Sequence, residues 1–182
     1  MAAEFPSPSK NIVLIGFMGS GKSSIARELS HALGYPMVDT DALIIKRAGK
    51  PIRQIFEDEG EDAFRDLESI ILRDLEEYQP TRRIIATGGG IIVRPENREI
   101  LRRLGVVVWL VVSAGEIIRR TGKNKDRPLL NTEDQGETIE RLLKDRHELY
   151  RCTAHQEIET DDLTFAEITT GIVESARYFF AG

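Results

Sequence analysis

Residues 11–33 read NIVLIGFMGSGKSSIARELSHAL: an apolar run, a glycine-rich turn from Gly16 to Ser23, and a stretch with helical spacing. The turn, GFMGSGKS, ends in a lysine and a hydroxyl residue, and it lies between strand and helix as a phosphate-binding P-loop requires. Glycines let the backbone wrap a polyphosphate with its N–H groups pointing inward, while the lysine reaches the β and γ oxygens and the serine hydroxyl ligates Mg²⁺. Lys22 and Ser23 take those two parts, and Gly19, Ser20, Gly21, Lys22, Ser23 and Ser24 form the expected nucleotide-binding run.

Downstream, Gly34 suits a helix stop, and a short strand through Met37 and Val38 delivers Asp39, Thr40 and Asp41 at its end. Apolar positions from Ile52 to Leu75 then recur at spacings of three and four, punctuated by Gly49, Pro51 and Gly60, which predicts two or three helices up to Tyr78. A third strand, Ile84 to Thr87, runs into Gly88, Gly89 and Gly90. A helix from about Pro95 to Leu104 and a strand from Val106 to Val112 follow. Ser113 with Glu116, and Thr164 with Glu167, read as capping boxes opening two further helices. Between them lie a polar loop, a helix ending near Tyr150 and a weak strand about Gln156 to Thr160. Alternating strands and helices predict an α/β fold: a P-loop NTPase-type parallel sheet of about five strands between helices. Ligands of such sheets bind at the carboxyl ends of strands, so the loops after strands one, two and three should meet in one crevice.

The 182 residues suit a single domain able to bury its own core, and the net charge of −5 argues against a nucleic-acid or anionic-membrane surface. The opening MAAEFPSPSK carries an acid at Glu4 and prolines at Pro6 and Pro8 before any apolar stretch, which suits a loose lead-in rather than a signal peptide. The longest apolar run, Val106 to Val112, is about a third of what a membrane helix needs, so no membrane span is expected. A lone Cys152 fits a reducing compartment, the cytoplasm, and reads as a small semi-buried filler. His31, His147 and His155 lack metal-ligand spacing and are expected as surface or helix residues. Trp109, in mid-strand, is expected in the core.

The P-loop still needs a carboxylate for the magnesium shell, and Asp39, at the end of the second strand, is the candidate. Its bland alternative is an Asx-type cap on the next helix. Asp41 points the same way two residues on, so the pair can divide the labour, one on the cation and one accepting from a substrate hydroxyl. Gly88, Gly89 and Gly90, lacking Cβ atoms, allow close backbone approach to a ligand; the alternative is a plain turn.

An ordered set of pieces resembles the shikimate kinases over nearly the whole chain. It comprises GFMGSGKSS, DTD, Phe56 with Gly60 and Glu61, Phe64, Arg65 and Glu68, then Thr87 with Gly88 to Gly90, Arg119 to Gly122, Arg127 to Leu130, and Arg146 four residues before Tyr150. The resemblance implies transfer of the γ-phosphoryl group of MgATP to the 3-hydroxyl of shikimate, in aromatic amino-acid (chorismate) biosynthesis. By position it makes Asp41 the contact to that hydroxyl and candidate general base, with Arg65 and Arg146 holding the substrate carboxylate, as planar guanidinium forks can. Arg120 resembles an adenine-side arginine. Residues 121–134 are polar and aperiodic and read as a mobile lid closing over ATP, carrying Arg127 to the transferring phosphate.

The implied layout is one kinase domain over residues 1–182, expected as a monomer. Residues 11–39, 83–120 and 135–182 would form the nucleotide-binding core, 40–68 the substrate module and 121–134 the lid. After the last strand the chain reads Thr160, Asp161, Asp162, Leu163, where many relatives carry a basic or amide residue, so adenine contacts there are expected from the backbone. Two rivals remain. One is another small-molecule P-loop kinase, for gluconate or a nucleoside monophosphate. The other, a GTPase-like switch, lacks support: Asn124-Lys125-Asp126 is short of an NKxD motif, and no aspartate is followed three positions later by glycine.

Overall fold

The computed structural model describes residues 11–78, 82–121 and 135–181. The lead-in and residues 122–134, with Arg127 and the Asn124–Asp126 fragment, lie outside the described residues. Five strands, β1 (Asn11–Ile15), β2 (Met37–Asp39), β3 (Ile84–Ala86), β4 (Gly105–Val111) and β5 (Gln156–Glu159), form one parallel sheet in the order β2-β3-β1-β4-β5. The helices among the described residues are α1 (Lys22–Leu33), α2 (Thr40–Ala48), α3 (Ile52–Glu77), α4 (Pro95–Leu104), α5 (Ala114–Thr121), α6 (Gln135–Thr153) and α7 (Phe165–Ala181).

The near-continuous apolar strands are buried on both faces, and their period of two assigns each residue to a layer. Val13 and Ile15 of β1, Ile85 of β3, and Val107 and Trp109 of β4 pack with residues from α2, α3, α4 and α6. Ile12 and Leu14, Ile84 and Ala86, and Val106, Val108 and Leu110 face α1 and α7 on the other side. Each fully buried Val, Leu or Ile side chain contributes roughly 1.5–3 kcal/mol of transfer free energy, so these two layers dominate the driving force. Trp109 is 5% exposed, in the core as its mid-strand place predicts.

The strand order locates the binding crevice. From β1 the chain crosses to β2 at one edge, whereas from β3 it crosses back over β1 to β4, so connections leave in opposite directions at the β1–β3 junction. Loops at the carboxyl ends of those two strands therefore part and leave a gap. The P-loop follows β1, and Gly88 to Gly90 follow β3.

The apolar positions from Ile52 to Leu75 lie on α3, two helical segments that meet in a kink at Gly60, whose φ of 84° and ψ of 178° suit glycine, in keeping with the punctuation expected there. Several other local expectations need correction. Only the α7 capping box closes reciprocally: Thr164 N–H donates to Glu167 Oε2 (2.8 Å), and Glu167 N–H to Thr164 Oγ1 (3.3 Å). At α5, Glu116 N–H donates to Ser113 Oγ (3.2 Å), but the Glu116 carboxylate turns to Arg119 and Arg120, and Asp161 accepts from Ser113 N–H instead. α6 runs three residues past Tyr150, to Thr153. Cys152 is exposed on its last turn rather than semi-buried. His155 is half-buried outside any helix, its Nδ1 accepting from Val107 N–H (3.0 Å), because the chain entering β5 crosses the edge of β4 there.

Candidate active site

The P-loop turns on left-handed glycines, Gly19 at φ 81° and Gly21 at φ 91°, and α1 begins directly after them. Its first backbone N–H groups lack helical acceptors and face outward, a ready site for an anion. The Lys22 ammonium lies under the loop, donating to Gly16 O and Phe17 O (2.8 Å each) and reaching Ser20 Oγ at 3.3 Å.

Asp39 caps the next helix with one oxygen and faces the P-loop with the other. Its Oδ1 caps α2, accepting from Asp41 N–H (3.0 Å) and Ala42 N–H (3.3 Å), and its Oδ2 accepts from Ser23 Oγ (3.1 Å). A serine hydroxyl and a carboxylate oxygen side by side at the P-loop are hard oxygen donors, the chemistry Mg²⁺ takes, so the residues fit that ion. Next in the chain, the buried Thr40 Oγ1 accepts from Gly88 N–H (3.0 Å), tying the start of α2 to the β3 loop. Asp41 then leans over Gly88: a Cβ there would stand 2.6 Å from Asp41 Oδ1.

Arg65 and Arg146 arrive from different helices, α3 and α6, and are only 4% and 6% exposed. Arg65 is pinned by its own helix, with Nη1 donating to Glu68 Oε2 and Nη2 to Glu61 Oε1, both at 2.7 Å. Its guanidinium rests over the Phe64 ring, 5.3 Å from the centroid. Gly90 is needed beside it, because a Cβ there would come within 2.2 Å of Arg65 Nη1. Arg146 lies over Phe17 at 5.8 Å and reaches Gly89 O at 3.5 Å, a carbonyl that also accepts from Tyr150 Oη one turn further along α6. Burial pushes the Tyr150 phenol well up, so it stays a donor at any ordinary pH.

Glu68 is 1% exposed. Burial raises its carboxyl from the usual range to about 7, Arg65 and Arg146 pulling against that rise and Asp41 adding to it. On the other flank, Arg120 pairs with Glu116 (2.6 Å) and approaches Gly19 O at 3.5 Å. Hydrogen bonds from Arg119 and Arg120 hold the Glu116 carboxyl down at about 2.

These groups surround one cavity of about 890 Å³. Gly19, Gly21, Lys22, Ser23, Ser24 and Arg120 line one end; Asp39 and Asp41 stand between; Arg65, Gly88, Gly89, Gly90 and Arg146 line the other. Ser20, within the loop, is buried beside the Lys22 ammonium. Among the described residues every expected position is thus at or directly under this cavity, and Arg127 lies outside them. Thr40, Glu68 and Tyr150 had no assigned part beforehand. Their signals are spacing, Glu68 standing three residues after Arg65 and Tyr150 four after Arg146 on helical faces, and Thr40 lying between two candidate aspartates.

A sequence profile described as shikimate kinase matches residues 18–177. A shikimate kinase of Thioalkalivibrio sulfidiphilus is 43% identical over 171 residues, covering 94% of this chain and 87% of that protein. The solved structure of the shikimate kinase from Acinetobacter baumannii in complex with shikimate superposes with a TM-score of 0.87 at 37% identity, covering 93% of each chain. A gluconokinase from Sinorhizobium meliloti aligns over 97% of this chain and 98% of its own, with a TM-score of 0.56 and 19% identity, a likeness of fold alone. With matches of that extent and a cavity joining a P-loop to two buried arginines, the chain belongs to the shikimate kinase family.

Proposed function

We propose that the protein transfers the γ-phosphoryl group of MgATP to the 3-hydroxyl of shikimate, giving shikimate 3-phosphate and ADP for aromatic amino-acid synthesis, as a cytoplasmic monomer. The observation that carries this is the pairing of Arg65 and Arg146, buried on separate helices, across from Asp41 in the cavity that also holds Lys22. A compact hydroxylated carboxylic acid needs a cationic fork at one end and a hydrogen-bond acceptor at the reacting alcohol. The layout supplies both, with the phosphate cradle beyond the acceptor.

In the proposed reaction the substrate oxygen bonds to the γ-phosphorus as the bridge to the β-phosphate breaks, and ADP leaves with that electron pair. Asp41 orients the hydroxyl and is placed to receive its proton. Lys22 and the α1 N-terminus offset phosphate charge, and Arg127, in the proposed lid, adds to it at the transition state. Ser23 and Asp39 would hold Mg²⁺, which when bound neutralises phosphate charge. Gly19 to Ser24 and Arg120 cradle the nucleotide. Closure over both ligands would exclude water and so suppress hydrolysis of ATP.

The test is ADP release coupled to a reporter, with shikimate, gluconate and nucleoside monophosphates offered in turn. Shikimate is expected to drive turnover and the others not. Preference for gluconate or a nucleotide would overturn the assignment.

A further inference from the structure

Glu68 is a carboxylate of the cavity wall with only one of its oxygens satisfied. Its Oε2 accepts from Arg65 Nη1 at 2.7 Å, whereas its Oε1 is buried with no hydrogen-bond partner. A buried acceptor left unpaired holds charge poorly and calls for an explanation. Facing it are Arg65 from its own helix, with Glu61 on the outer side of that guanidinium, Asp41 from α2, and Arg146 and Tyr150 from α6. From the β3 loop, Gly88 faces Glu68, and a Cβ there would stand 3.1 Å from Oε1; the charge of that loop, Arg94, pairs with Asp66 (2.6 Å) and donates to Ser69 Oγ (3.4 Å) instead.

We infer that Glu68 takes up one proton from solvent when the carboxylate substrate docks on Arg65 and Arg146. The inference rests on the substrate class proposed above. The incoming carboxylate needs the same two cations that sustain Glu68 in its ionised form. It sets a second negative charge beside a group that cannot be rehydrated, and it draws guanidinium hydrogen bonds toward itself. Both effects favour the neutral acid. One anion and one proton enter together, so the net charge of the dry site is unchanged, and no bond is made or broken other than O–H on the Glu68 carboxyl. A carboxyl already lifted to about 7 is poised for such an exchange near neutrality. The sign follows from linkage: if the bound state holds the proton more tightly, affinity is flat below the free-state value and falls as pH rises above it, by at most about tenfold per pH unit.

The experiment is calorimetry of shikimate binding to the intact chain in buffers of different ionisation enthalpy, whose slope counts protons. Shikimate itself is ionised throughout this range. Uptake is expected near zero at about pH 6 and approaching one proton at about pH 8. Glu68→Gln should abolish the slope. A slope of zero at the higher pH, or one that persists in Glu68→Gln, overturns the inference. Should that variant fail to fold or bind, infrared difference spectra of the unaltered protein decide: a protonated-carboxyl band appearing with shikimate supports Glu68 uptake, and its absence overturns it. No binding of shikimate at all would instead overturn the substrate assignment, and the inference with it.

Discussion

Arg65 shows how one side chain is prepared for its work. Two carboxylates on its own helix and the Phe64 ring fix the guanidinium before any ligand arrives, so little side-chain freedom remains to be lost on binding. Arg65→Ala should therefore cut kcat/KM for shikimate by roughly 2–5 kcal/mol, about 30-fold to several thousand-fold, the range for removing one partner of a buried charge pair. Steady-state kinetics checks this, and a loss below threefold would show that the carboxylate docks elsewhere. Asp41→Asn separates orienting the alcohol from accepting its proton. If Asp41 is a base, kcat falls by about 10²–10⁴ while shikimate affinity changes little, since the amide still hydrogen-bonds. Near-normal turnover would leave orientation as its whole contribution.

At the scale of elements, close approach of strands sets a limit that side-chain chemistry does not. Gly105 opens β4 opposite Asn11, and a Cβ there would lie 2.2 Å from Asn11 O, a backbone atom that cannot swing aside. Gly105→Ala should cost about 1–3 kcal/mol of stability, a Tm lower by roughly 2–12 °C. It should leave kcat unchanged, because this end of the sheet is opposite the cavity. Thermal melts paired with kinetics test the split, and an unshifted Tm would refute the clash. Local requirements made the elements legible: glycines for the P-loop, Asp39 as the last polar stop of a strand, Gly60 as punctuation inside α3. What stayed hidden depends on partners distant in the chain. Thr40 meets Gly88, Asp161 replaces Glu116 as acceptor for Ser113, and Tyr150 reaches Gly89, none of which a short window can contain. The two arginines proposed to clamp the substrate came through the ordered likeness to a family, since spacing alone leaves a helical arginine solvated. The burial of Glu68 depends on α2, α3 and α6 meeting, which periodicity along α3 cannot reveal.

Across the whole molecule, the single tryptophan connects core to cavity. Trp109 on β4 stacks on Tyr150 at 5.4 Å between centroids, and the Tyr150 hydroxyl holds Gly89 O in the loop beside Arg65 and Arg146. Shikimate should thus alter Trp109 emission, and Tyr150→Phe should shrink that change while raising KM about 2- to 13-fold, the value of one neutral hydrogen bond. Emission indifferent to saturating shikimate would break the connection. A different consequence follows from Asp39, whose two oxygens serve separate clients: one anchors the first turn of α2, the other a serine of the phosphate loop. Two halves of the enzyme thereby share a single rigid hinge pin. A ligand that pulled on the phosphate-side oxygen would be expected to shift the amide of Asp41 too, a short mechanical route between the two ends of the cavity.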